Sequence, residues 1–193
     1  MPTILAVSGS PSPSSFTQEV LGLAARRLRG RGHPVDTLPV RELPPAALLA
    51  ADTEDPAVRD AVDRLIAADA VLLATPVYKA AYSGLLKAFL DLLPQYALEG
   101  KVVMPLASGG SMAHALAVDY GLRPVLASMR PVAITDAVFV PSDAAVRGPD
   151  GRREPDPLTR ARLDDVTDRF EELLTAVAPA ERHAEPAAPR AAA

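Results

Sequence analysis

"ILAVSGSPSPSSFTQEVL", residues 4–21, changes character twice within a short distance. Ile4 to Val7 is an apolar run of strand length, and the run Thr3–Gly9 reads as a buried strand. Ser8 to Ser15 then holds five serines, two prolines and one glycine. After it Leu21, Leu23 to Ala25 and Leu28 recur at helical spacing until Gly30 and Gly32 end the pattern. The order is strand, hydroxyl-rich loop, helix, which is the opening unit of a parallel α/β sheet.

The rest of the chain repeats that alternation. Residues 34–40, 70–78, 101–110 and 132–140 read as further strands. Helices fit 56–68, with Pro56 in the first turn, then 83–94, about 110–129, and 158–177. Five strands alternating with helices predict a flavodoxin-like, doubly wound α/β domain, a five-stranded parallel sheet with helices on both faces, over residues 1–178. The stretch 179–193 has no core pattern and is expected to be a disordered tail. Pro124 lacks an N–H and crowds the carbonyl of Tyr120, and Gly121 loosens the same turn, so the helix after residue 110 is predicted to bulge or break near Tyr120.

Composition narrows the function classes. The 193 residues carry a net charge of −4 with no basic block, which argues against nucleic acid as a partner. No cysteine occurs, which removes thiolate metal sites and thiol redox chemistry, so redox work needs a borrowed cofactor. No stretch approaches the ~18 apolar residues of a membrane span, and the start of the chain has no basic leader, so a cytoplasmic location is expected. His33, His114 and His183 form no metal-binding pattern, and no metal site is expected.

In a doubly wound sheet, ligands sit at the carboxyl ends of the strands, which singles out three loops. The first, Gly9 to Gln18, offers Ser10, Ser12, Ser14, Ser15 and Thr17 with backbone amides at a helix entrance and contains no Lys or Arg. It suits a phosphate held by neutral donors, while neither a P-loop nor a G-x-G-x-x-G pattern is present. A turn with an N-cap would use the same residues. The second loop, "ATPVYKAAYSG" (74–84), puts Tyr78 just past a strand end, where it can meet a flat heterocycle or simply cover the sheet edge with Tyr82. The third, "ASGGSM" (107–112), leaves amides open.

"SGSPS" (8–12), "ATPVYKAAYSGLLKAFLDLLP" (74–94) and "LEGKVVMPLASGGSMAHALAVDYGLRPVL" (98–126) resemble the NADPH-dependent FMN reductase family, over roughly residues 3–177. Within it they are most similar to the branch that serves alkanesulfonate two-component monooxygenases. The resemblance implies a flavodoxin-like fold and hydride transfer from NADPH to FMN. Reduced flavin would pass to an FMN-dependent monooxygenase that releases sulfite from a sulfonate. It implies that Ser10, Ser12, Ser15, Thr17 and Gln18 hold the flavin phosphate. Pro76, Val77 and Tyr78 would line the ribityl chain and ring, and Ser108, Gly109, Gly110 and Ser111 would meet the pyrimidine edge. Where the family commonly has two loop arginines, this chain has Ser12 and Phe16. The family further implies a homodimer or homotetramer, and a π-helical turn whose aromatic, here Tyr120, helps decide whether flavin is kept or passed on.

Hydride moves between two cofactors, so no side chain is assigned as acid or base. His114, in a first helical turn, reads as a surface or capping residue. Apolar residues in excess on helix 83–94 (Leu85, Leu86, Phe89, Leu90, Leu93) point to self-association, and the acidic run Asp164–Glu172 reads as a solvated face. Two other classes use the same fold: a reductase that retains FMN and reduces a quinone, azo dye or metal oxyanion, and an FMN electron carrier. The low aromatic content and modest charge argue most against the carrier.

Overall fold

Alternation along the first strand sorts the core into two layers. In β1 (Ile4–Ser8), Ile4 and Ala6 belong to one hydrophobic layer and Leu5 and Val7 to the other, and all four are buried. Helices cover both faces of the sheet, so its strands are apolar throughout rather than alternating with polar residues. The computed structural model describes residues 1–143, 145–148 and 153–177. The expected tail at 179–193 lies outside them.

β1 is flanked in parallel by β2 (Val35–Pro39) and β3 (Ala70–Tyr78), with Ile4 opposite Val35 and Ala70. β3 runs on into a hairpin with β4 (Ala81–Tyr82) and pairs in parallel with β5 (Val102–Gly109) from Ala70↔Val102 to Pro76↔Ser108. The expected fifth strand is two pieces on the far side of β5, β6 (Ala133–Ile134) and β7 (Val138–Pro141). The break follows from Thr135 and Asp136 between apolar neighbours. The Thr135 amide still reaches Val103 O (3.0 Å), but the Arg123 guanidinium takes the Thr135 carbonyl (2.9 Å). The order β2-β1-β3-β5 and then β6 with β7 is the 2-1-3-4-5 order of a flavodoxin-like sheet.

Helix ends are set by short side chains. α1 (Phe16–Gly30) begins at Ser15, whose Oγ accepts from Gln18 N. α2 (Pro45–Ala50) is one turn and a half within what reads in sequence as a connection. α3 (Pro56–Ala67) is capped by Asp55, α4 (Gly84–Leu90) by Ser83, and α6 (Pro157–Ala176) by Asp156. α1 and α6 pack on one face of the sheet, and α3 and α4 on the other. The helical pattern after residue 110 resolves into a 3₁₀ turn at Met112–His114, a π-helical segment at Val118–Leu122, and α5 (Arg123–Ser128). The Arg123 N–H donates to the Val118 carbonyl five residues back, one residue before Pro124, which has no N–H. The bulge expected near Tyr120 is therefore a π turn.

Two expectations are corrected. Leu86, Phe89 and Leu90 of α4 are buried within the chain, and Leu85 and Leu93 pack against the same layer, so α4 has no apolar surplus. The acidic run of α6 is a clasp on α1 along one side. Arg27 binds Asp168 through two bonds (2.6 and 2.8 Å), Arg31 reaches Asp168 (2.8 Å) and Glu171, and His33 Nε2 lies 3.0 Å from Glu171. The hydrogen bond from Arg27 holds the Asp168 carboxyl below the usual carboxylate range against a smaller opposing effect of burial. Between β7 and α6 a short antiparallel pair forms, β8 (Val146–Arg147) and β9 (Arg153–Glu154).

Candidate functional site

The three loops at the carboxyl ends of β1, β3 and β5 come together through hydroxyl groups. Ser83, 2% exposed, donates from Oγ to Gly9 O (2.6 Å) while accepting from Leu86 N (3.1 Å). Its own amide donates to Thr75 Oγ1 (2.9 Å), which donates in turn to Pro76 O (2.9 Å). One serine thus caps α4 and fastens the first loop to the second. The first and third loops are joined by a buried pair of hydroxyls, Thr17 and Ser108, 2.5 Å apart.

Gly9 is required at this junction. A Cβ there would lie 2.6 Å from Leu86 Cβ, a distance that real contacts do not reach, and the Gly9 amide donates to Ala74 O (2.8 Å). Gly109 is similarly confined, since a Cβ would meet the Phe139 ring at 3.0 Å and Val77 Cβ at 3.3 Å. Gly110 is exposed, with nothing near its missing side chain.

Most of the first-loop hydroxyls are already partly engaged. Ser10 is buried, accepts from Ser12 N (3.3 Å) and donates to Ser12 O (3.5 Å), Ser15 caps α1, and Thr17 pairs with Ser108. Ser12 is half-buried. The Ser15 hydroxyl, which only accepts, keeps its own proton to donate, and the Thr17–Ser108 pair keeps one between them. The amides of Ser14, Ser15, Phe16 and Thr17 have no acceptor among the described residues. Gln18 Oε1 and Ser8 Oγ are buried without a partner. The loop therefore presents unpaired amide donors at the positive end of a 15-residue helix.

At the carboxyl end of β3, Pro76 and Val77 are buried and Tyr78, its last residue, is half exposed. Lys79 and Ala80 form the turn to β4 with φ of 50 and 59, a left-handed pair without the usual glycine. Such residues cost on the order of 1–3 kcal/mol each and persist only where the surroundings enforce them. Here Tyr82 supplies the enforcement, pairing with Val77 and packing its ring beside Gly121 of the π segment. Tyr120, on the same segment, is 77% exposed, with exposed Met112 and Leu116 on the turns before it. Ser111 is half-buried at the start of the 3₁₀ turn. His114 Nδ1 is buried without a partner. Among the described residues no group of His, Cys, Asp and Glu could hold a metal ion, and no helix is long and apolar enough to cross a membrane.

Two parts of this site were missed in the sequence. Ser83 is visible there as a helix start, but its reach back to Gly9 depends on residues 74 positions apart. Arg153 comes from a loop with no motif, and its guanidinium stands over the Phe16 ring, 4.8 Å from the centroid.

A 2-1-3-4-5 sheet with a neutral, amide-rich cradle at the entrance of its first helix defines the flavodoxin-like class of α/β proteins. The model of the family "NADPH-dependent FMN reductase" matches residues 2–145. The chain is 41% identical over 171 residues to an FMN reductase (NADPH) of Escherichia coli, covering 89% of each. It is 38% identical over 186 residues to one of Pseudomonas putida, covering 96% of this chain and 92% of the other. The solved apo form of an NADH:FMN oxidoreductase superposes with a TM-score of 0.82 at 39% identity over 95% of both chains. The chain belongs to the NADPH-dependent FMN reductase family; it is an oxidoreductase, and the cofactors of the family are FMN and NADPH. The residues present fit FMN, because the unpaired amides at the entrance of α1 and the unpartnered Ser8 hydroxyl at the end of β1 are donors that a phosphate monoester would satisfy.

Proposed function

We propose that this reductase treats FMN as a substrate, reducing it with NADPH and releasing it to a partner monooxygenase of the alkanesulfonate type, in the service of sulfur acquisition. The observation that carries this reading is the openness of the site. Tyr78, at the end of β3, and Tyr120, on the π segment, are both exposed rather than closed over a ring. Tight retention would call for the reverse.

When bound, FMN supplies the ring that accepts hydride from NADPH. The chain supplies geometry. The amides of Ser14 to Thr17, with Ser10, Ser12, Ser15, Thr17 and Gln18, hold the phosphate. Pro76, Val77 and Tyr78 line the ribityl and ring portions, and Ser108, Gly109, Gly110 and Ser111 present donors to the pyrimidine edge. The strained turn at Lys79 and Ala80 fixes Tyr78 at the last position of β3, opposite Ala81. Hydride transfer requires the two rings within ~3–3.5 Å, so holding the flavin at three points from three loops is itself the catalytic contribution.

Tyr120 takes the role of deciding between keeping and passing on the flavin, and Met112, Leu116 and Tyr120 form the face through which the chain associates as a homodimer or homotetramer. Their exposure supports this, and α4 no longer does. The test is to strip the protein of flavin, add NADPH and increasing FMN in air, and follow both NADPH absorbance and passage of flavin through a filter. Saturable oxidation with freely filtering flavin is expected. Flavin that stays with the protein and turns over only when a quinone or azo acceptor is added would replace this reading with that of a retaining reductase.

A further inference from the structure

We propose that Arg153 supplies the positive charge of a phosphate-monoester site whose neutral half is the loop from Gly9 to Phe16, an inference that rests on reading that loop as the FMN cradle. The loop itself contains no Lys or Arg, whereas a phosphate monoester carries close to two negative charges near neutral pH. The pairing of β8 with β9 brings a cation to it. The Arg153 guanidinium lies on Phe16, the first residue of α1, at 4.8 Å from the ring centroid.

One of its amino groups donates to Ser142 O. Ser142 donates from N (2.7 Å) and from Oγ (3.0 Å) to Gly109 O, at the end of β5. Arg153 is therefore tied at once to the first and third loops. It also borders a cleft of about 440 Å³ together with Ser14 and Gln18. Stacking on Phe16 and the single bond to Ser142 leave the remaining N–H donors of the guanidinium without partners among the described residues, and its planar fork matches phosphate oxygens.

Arg26, Arg29, Glu19 and Glu154 border the same cleft, but Arg29 is turned to Val35 O (3.1 and 2.7 Å), and of the three arginines Arg153 is the one seated on Phe16 at the entrance of α1. Phosphate monoesters reach this enzyme from two sources, the 5′-phosphate of FMN and the 2′-phosphate of NADPH, and the position beside Ser14 and Gln18 favours the first.

The experiment compares the wild-type chain with Arg153→Gln and Arg153→Lys, each stripped of flavin. FMN and riboflavin are titrated separately, and steady-state rates are measured with NADPH and with NADH. FMN affinity should fall about tenfold to a hundredfold in Arg153→Gln and recover only in part in Arg153→Lys, which restores the charge but not the fork, with riboflavin affinity unchanged in both. A rise in KM for NADPH but not for NADH, with FMN binding intact, keeps the phosphate site and assigns it to the dinucleotide. Equal weakening of FMN and riboflavin would show only a displaced hairpin, and no change in any of these would show no role; either overturns the inference. A wild-type chain that binds riboflavin as well as FMN would instead refute the cradle reading on which the inference rests.

Discussion

Replacing Ser83 with alanine tests whether the site is fastened by hydroxyl groups. The substitution removes two bonds at once: the 2.6 Å bond to Gly9 O and the 3.1 Å cap on Leu86 N. Loss of an N-cap costs about 0.5–2 kcal/mol, and a buried carbonyl left without its donor costs about 1–3 kcal/mol. Ser83 and its surroundings are buried, so water cannot replace the lost donor, and a total of about 2–4 kcal/mol is expected. For a chain of this length that corresponds to a fall in Tm of about 5–15 °C, read by calorimetry or circular dichroism. FMN affinity should fall as well, because the Gly9 carbonyl anchors the loop proposed to hold the phosphate. Ser83→Thr retains the hydroxyl and should preserve both properties better than Ser83→Ala does. A Ser83→Ala protein with unchanged Tm, or one destabilised as expected but binding FMN at full affinity, would refute the claim that this serine sets the position of the first loop.

Three further outcomes are expected. Thr17→Val and Ser108→Ala should each destabilise by about 1–3 kcal/mol, with the double variant short of the sum by on the order of 1 kcal/mol; urea unfolding of the four proteins checks this, and strict additivity would mean the hydroxyls do not pair. Because the folded-state pKa of Asp168 is depressed, the stability it adds is complete above its unfolded pKa and disappears as pH falls through the lower, folded value. Urea midpoints followed from neutral to acid pH should fall less steeply in Asp168→Asn, and an unaltered acid limb would remove the clasp from the account. Tyr120→Ala should leave Tm nearly unchanged, since the side chain is 77% exposed, while altering flavin retention or its transfer to a monooxygenase. Unchanged retention and transfer would withdraw the role given to Tyr120.

Much of the architecture is legible in the sequence because apolar runs, capping residues and prolines act locally. Asp55 with Pro56 marks the start of α3, and the run from Ala70 to Tyr78 is found as a strand with those limits. The π turn is also legible, since a missing N–H at Pro124 is a property of the residue itself. What escapes is decided at a distance. The run 132–140 has the apolar content of one strand, and only Arg123, arriving from the helix before it, captures the carbonyl that divides it. Leu85 to Leu93 look surplus until the layer formed by β3, β5 and α4 is assembled around them. In the site, the three loops can be named from topology alone. The bonds Ser83–Gly9 and Thr17–Ser108, and the arrival of Arg153 over Phe16, join positions with no common local pattern.

The two hydroxyl ties also date the site within the folding of the chain. They close loops of 74 and 91 residues, so neither can form until the crossovers that set β1 beside β3 and β3 beside β5 are complete. Each strand of the ladder can begin to zip from its apolar residues. The cradle has no partial form, because its three sides come from segments that meet only at the end. During refolding, the ability to take up FMN should therefore lag behind the recovery of helical signal and coincide with the last kinetic phase, which makes flavin capture a clock for the finished sheet.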